Sequence, residues 1–302
     1  MTQPCHTGPE AAIAAIRAQV AIIHAMAPGV SELDPGAIHD MRVASRRLRM
    51  AIRVYQPYLD PRDGKQLRKQ AKKITGALGI RRELDVMAAM LREHREETRT
   101  IWRRFMDHAI EVIERRREAQ APYCQEAVAL AADLAGQEGL DGLLRGAPEA
   151  GGCLISLAQS ELRVAFQLAR HARRAWKQSG DAEDLHQVRI ELKHLRYACE
   201  FHAGLFGEPM AAFIGRVKGA QNLLGEWNEC RLLEDMVLTL GNAADYRLAQ
   251  GAPLVAEAYG NRAGDLAEQF REAGKALLGR RAAREFKRLV KHPAAACCNP
   301  GM

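Results

Sequence analysis

One segment of this 302-residue chain is written twice, and that repetition limits the possible folds more than any other feature. A shift of 147 places lays Ile38-His39-Asp40-Met41-Arg42-Val43 over Leu185-His186-Gln187-Val188-Arg189-Ile190. The same shift lays Arg46-Arg47-Leu48-Arg49 over Lys193-His194-Leu195-Arg196. A shift of 146 then matches Leu78-Gly79-Ile80-Arg81-Arg82-Glu83 with Leu224-Gly225-Glu226-Trp227-Asn228-Glu229, and Lys72 with Lys218. Two copies of one supersecondary unit follow, differing by one residue in the intervening turn.

The repeated segment has helical periodicity. At 100° per residue, His39, Arg42, Arg46, Arg49 and Arg53 share an arc of about 80°. Met41, Ala44, Leu48, Ala51, Ile52 and Tyr55 lie opposite, so one face packs and the other is cationic. In the second copy His186, Arg189, Lys193 and Arg196 take the same arc, against Val188, Leu195, Ala198 and Cys199. From His39 to Arg53 and from His186 to Arg196 the arc holds no Asp or Glu. A merely solvated face mixes signs to gain i,i+4 pairs, whereas like charges at that spacing cost stability. His39 and Arg42 also sit near a helix start, where the macrodipole disfavours cations and free amides favour an anion. An arrangement unfavourable alone and favourable with a multivalent anion points to a polyanionic ligand. The net charge of +7 agrees with an acidic partner.

The rest of the chain is also helical in pattern, with no strand alternation. Ile13, Ile16, Val20 and Ile23 predict a first helix over 10–27, ended by Pro28-Gly29. Asp34-Pro35 caps a second running to about Tyr58, and Asp60-Pro61 a third closed by Gly79. A fourth region begins near Glu83 and continues, with a break in the 90s, towards Ala135. Residues 136–152 are glycine-rich and read as a linker between an N-terminal half, 9–135, and a C-terminal half, 153–292. The second half predicts helices to Lys177, to Phe206 and to Leu224-Gly225, and 293–302 reads as a disordered tail. On the third helix Lys65, Arg68, Lys69, Lys72 and Lys73 lie away from Leu67, Ile74 and Leu78; its counterpart keeps Arg216 and Lys218. Arg280, Arg281, Arg284, Lys287, Arg288 and Lys291 form a last basic cluster, equally readable as a plain exposed face. Seven scattered cysteines without a Cys-x-x-Cys pair read as reduced thiols. The N-terminus lacks a basic region followed by an apolar one, so a cytoplasmic protein with no membrane association is expected.

The paired segments His39 to Arg49 and His186 to Tyr197 resemble the two signature helices of CHAD domains, the conserved-histidine α-helical domains. The elements at Leu78-Gly79 and Leu224-Gly225 are similar to the family's Leu-Gly-x-x-Arg-Asp and Leu-Gly-x-x-Asn-Asp, with Glu in place of Asp both times. The resemblance spans about residues 9–292, within a single domain over 1–302. It implies an all-α fold of two four-helix bundles related by a pseudo-two-fold axis, with the basic helices facing a central groove or pore. It further implies noncatalytic binding of inorganic polyphosphate and residence on polyphosphate granules. The binding residues carried over are His39, Arg42, Arg46 and Arg49, then His186, Arg189, Lys193 and Arg196, with Lys72 and Lys218 from the third helices. Arg53, Arg68, Lys69, Lys73 and Arg216 extend the expected site by position. Arg47 matches the family's arginine pair but lies off the arc, and His194 replaces its equivalent. The Glu-x-Glu-x-Lys triplet of the CYTH triphosphatase module, to which many members are fused, is missing here, as expected of the stand-alone form.

Two other functions compete with polyphosphate binding. A nucleic-acid binder would interleave aromatic rings among its cations for stacking, and the arc has none. An accessory subunit presenting substrate to a polyphosphate-processing enzyme would use the same residues. A phosphohydrolase is less consistent with the sequence. His186, His194 and His202 are each about 80° apart around a helix, without carboxylates at ligand spacing, and no Walker loop, His-Glu-x-x-His or nucleophile elbow occurs. No catalytic residue, metal or cofactor is expected.

Overall fold

The computed structural model describes residues 7–97, 100–134, 140–144, 153–243 and 249–294. Among them the regular elements are α-helices and two short 3-10 turns, with no strand. The first half contributes α1 (Gly8–Ser31), α2 (Pro35–Val54), α3 (Pro61–Ala77), α4 (Gly79–Glu97), α5 (Thr100–Glu118) and α6 (Ala121–Ala132). The second contributes α7 (Leu154–Ser179), α8 (Ala182–Phe206), α9 (Glu208–Ala243), α10 (Ala252–Leu278) and α11 (Arg280–Lys291).

Local chemistry sets the helix starts. Thr7 and Glu10 form a reciprocal capping box on α1. The Asp34 carboxylate accepts from the Ala37 amide at 2.6 Å, and that of Asp60 accepts from the Arg62 and Asp63 amides at 2.9 and 3.0 Å. α2 stops at Val54, where Pro57 removes a donor and the chain tightens into a 3-10 turn over Gln56–Tyr58. Gly180 ends α7 in the left-handed conformation, φ 75°.

Two punctuation residues behave differently from the sequence expectation. Pro28 lies inside α1, which continues to Ser31 because the Glu32 amide still bonds the Pro28 carbonyl at 3.1 Å and Val30 is fully buried. Gly79 opens α4 rather than closing a helix. Leu78 keeps near-helical angles (φ −86°, ψ −1°), and the Arg82 amide reaches its carbonyl at 3.2 Å, so the helix axis is interrupted for one residue only. In the second half α9 runs unbroken through Leu224-Gly225. Leu224, Trp227, Leu233, Val237 and Leu240 are all buried along it, and it packs on both α8 and α10. Part of the expected linker also packs: Leu140 and Leu143 are buried, and the Leu143 carbonyl accepts from the Asp60 amide at 2.7 Å. Residues 136–139 and 145–152 of the expected linker and 295–302 of the expected tail lie outside the described residues.

Packing partners run in parallel through the two halves. α1 packs on α2, α2 on α3, and α6 on α1 and α3; α7 packs on α8, α8 on α9, and α11 on α7. α1 is long and apolar enough to cross a bilayer, with mean hydropathy 1.4. Here it buries Ile13, Ile16, Val20 and Ile23 against α2 and α6. The halves meet where α2 lies beside α8. There the Tyr55 hydroxyl donates to the Phe201 carbonyl at 3.3 Å, and its ring stands edge-on to His202.

A buried ion cluster braces the first half. Asp85 accepts from Arg81 at 3.1 Å and from Arg117 at 2.8 Å, while Arg81 also donates to the Arg117 and Leu33 carbonyls. It ties α4 to α5 and to the turn after α1. In the second copy Trp227 stands where Arg81 does, so the cluster belongs to one half alone. Asp85→Ala would leave the buried Arg81 guanidinium without a carboxylate and Arg117 with Glu114 alone, an expected loss of about 3 kcal/mol in urea unfolding.

Candidate functional site

The burial of the apolar faces of α2 and α8 decides what the opposite faces must do. Met41, Leu48, Val188 and Leu195 are fully buried, so the basic arcs turn towards each other across a cleft. The cleft consists of two adjoining cavities of about 450 and 380 Å³, both lined by Arg46 and Lys193. The first also takes His39, Arg42, His186 and Arg189 from the two signature helices, Arg82 and Glu83 from α4, and Asn228 and Glu229 from α9. The second takes Arg49, Arg53, Arg68, His194 and Tyr197, and no acidic side chain lines it.

The charge balance inside is lopsided. In the first cavity four arginines, Lys193 and two histidines face only Glu83 and Glu229. Arg42 approaches Glu83 at 3.7 Å. The Nε atoms of Arg42, Arg46, Arg49 and Arg189 are buried without a hydrogen-bond partner. Burial, reinforced by neighbouring guanidiniums, lowers the affinity of Arg42, Arg49 and Arg189 for their protons. Lys193 responds most strongly. Burial first, then Arg189, Arg46 and Arg42, bring its ammonium down to about 7. His39 is lowered by burial and by Arg82, and Glu229 is raised by burial. His186 is held through Nδ1 by the Asn228 side-chain oxygen at 3.1 Å, which leaves Nε2 as its other polar atom.

The structure brings together His39, Arg42, Arg46, Arg49, Arg53, Arg68, His186, Arg189 and Lys193. Lys69, Lys72 and Lys73 are exposed on α3 and line neither cavity. Arg216 lies over the Phe213 ring at 5.5 Å. Arg196 and Lys218 both approach Glu200 at 3.7 Å. Glu200 also pairs with Arg47 at 2.8 Å. It is the next position on the basic arc after Arg196, and the 147-residue shift sets it over Arg53. Extending the repeat by one more turn would have revealed it. Arg82, Glu83, Asn228 and Glu229 form the wall facing the signature helices. The repeated Leu-Gly elements marked these residues in the sequence without assigning them a role. On α11 Arg280, Arg284, Lys287, Arg288 and Lys291 are exposed opposite Phe286 and Val290, and Arg281 pairs with Glu285. Among the described residues no three His, Cys, Asp or Glu side chains converge as a metal site.

Crowding these cations into the cleft costs stability. Lys193 titrates lower folded than unfolded, so its penalty is complete below about pH 7 and is relieved as pH rises towards its ordinary value. Lys193→Met is therefore expected to stabilise the unliganded protein by about 1–3 kcal/mol at pH 6, and by less at pH 9. Urea unfolding at the two pH values measures this; a gain that does not shrink with pH would contradict the repulsion.

The CHAD domain family model matches residues 14–238. No curated protein matches the chain. A crystal structure of the CHAD domain from the plant Ricinus communis is similar over 98% of this chain and 96% of its own, with TM-score 0.63 and 22% identity. The structure of PptA from Streptomyces chartreusis is similar over 90% of this chain and 100% of its own, with TM-score 0.65 and 16% identity. At those identities the structural likeness speaks for the all-helical fold; the family match extends over most of the sequence and includes both signature helices, and the chain belongs to the CHAD domain family.

Proposed function

We propose that this protein binds inorganic polyphosphate, without catalysis, in the cleft between α2 and α8. The observation that carries the reading is the set of buried arginine Nε atoms left without partners around Lys193. A chain with one negative charge per repeating unit would supply acceptors to successive guanidiniums and relieve their mutual repulsion. In this reading the halves act as two copies of one four-helix unit, related by a pseudo-two-fold axis, that bring their basic helices to a shared groove. The offsets of the helix starts support it: Pro35 against Ala182 and Pro61 against Glu208 are each 147 apart, so the one-residue difference between the copies falls within the third helix and not in the turn before it. Nucleic acid fits less well, because the aromatic ring in the cleft, Tyr197, is 5% exposed and already has Arg47 and Arg196 over it. The biological setting that follows is a cytoplasmic protein held on polyphosphate granules, or one presenting polyphosphate to a processing enzyme.

Binding of long-chain polyphosphate to the wild type and to Arg42→Ala/Arg189→Ala tests the site. The double variant should lose affinity and show a salt dependence shallower by roughly 1.4, at about 0.7 per phosphate contact in log K against log salt. Unchanged affinity would refute the site, and tighter binding of single-stranded DNA or RNA at matched phosphate would reverse the choice of ligand.

The pH dependence follows from Lys193. A bound polyanion raises its proton affinity, so binding takes up a proton wherever the free protein has lost it. Affinity should fall above pH 7, by up to about tenfold per pH unit. Lys193→Arg keeps its charge and should flatten that limb. His39, lowered from its usual range, adds a smaller dependence at more acidic pH.

A further inference from the structure

We propose that Glu200 is a built-in competitor for the phosphate chain, occupying Arg47, Arg196 and Lys218 and so ending the anion site at Tyr197. The inference rests on the polyphosphate reading above. Glu200 is the one carboxylate on the basic arc of α8, at the place that Arg53 takes on α2. Its side chain is 13% exposed, and cations from three helices approach it: Arg47 of α2 at 2.8 Å, Arg196 of α8 at 3.7 Å and Lys218 of α9 at 3.7 Å. Neither cavity is lined by any of the three.

Their position makes them the natural continuation of the site. Tyr197 lines the second cavity, and the Arg196 and Arg47 guanidiniums lie over its ring at 4.9 and 5.9 Å. The cluster thus stands directly behind the cavity wall. Arg196 has a buried Nε without a hydrogen-bond partner, as the cleft arginines do. Without a carboxylate there, the cluster would present three further cations to the same polyanion. With it, each of them already has an anion, and a phosphate must displace Glu200 to gain their contacts. A carboxylate that serves only as a clamp between α2, α8 and α9 would affect stability and leave the number of phosphates engaged unaltered.

The experiment is the salt dependence of binding of long-chain polyphosphate to the folded wild type and Glu200→Gln proteins, with folding checked by helical circular dichroism. Glu200→Gln should bind more tightly at low salt, with a slope steeper by up to about 2, three contacts at roughly 0.7 each. Adding Lys218→Ala to Glu200→Gln should take back about 0.7 of that slope. An unchanged slope in folded Glu200→Gln, while the wild type binds, overturns this inference alone. Should neither protein bind polyphosphate, the functional reading falls and this inference with it. If Glu200→Gln does not fold, Lys218→Ala in the wild-type background decides. Lys218 is 54% exposed and should leave the slope unaltered, whereas a slope shallower by about 0.7 would overturn the inference.

Discussion

Setting α2 beside α8 forces guanidinium groups of one helix towards those of the other, and the surrounding structure is organised to tolerate that repulsion. The apolar faces supply the compensation. Met41 and Leu48 on α2, and Val188, Leu192 and Leu195 on α8, are removed from water on the opposite side of the same helices. Each fully buried side chain of this kind contributes about 1.5–3 kcal/mol, which opposes the repulsion on the cleft side. The unfavourable field is thereby held in a packed frame with its donors already oriented. The depressed proton affinity of Lys193 reflects its burial first and that field second.

The carboxylates around the cleft divide the labour of limiting it. Glu83 and Glu229 stand at the first cavity, near Arg42 and Arg189, and temper the charge there without cancelling it. Glu200 stands beyond the second and holds three cations together. The second cavity itself has no acidic lining, and its nearest carboxylates, Glu191 beside His194 and Glu161 near Arg53, stand behind the wall.

Most of the lining of the cleft was legible because the amphipathic period of α2 and α8 is local information, written twice. Helix starts at Asp34 and Asp60 were legible for the same reason, since a cap needs only its next three residues. Pro28 and Gly79 were misread as stops because their effect depends on what lies around them. Burial of Val30 carries α1 past the proline, and a near-helical Leu78 lets the chain resume at once. The pairing of Glu200 with Arg47 and Lys218 joins residues far apart in sequence, and periodicity does not register such a contact. Likewise Lys72, Lys73 and Lys218 share the basic character of the site but not its position, because helix faces alone do not say where a neighbouring helix ends.

The interruption at Leu78 gives the two walls of the cleft different mechanical properties. α9 is one rod of 36 residues, about 54 Å at 1.5 Å per residue, and it holds Lys218, Asn228 and Glu229 in a single rigid body. On the other wall α3 and α4 are two shorter rods joined at one residue, with Lys72 on the first and Arg82 and Glu83 on the second. A displacement of the α9 wall moves all of its groups as a lever. A displacement of α4 can be absorbed at the joint, so Arg82 and Glu83 are not mechanically tied to the lysine-rich rod.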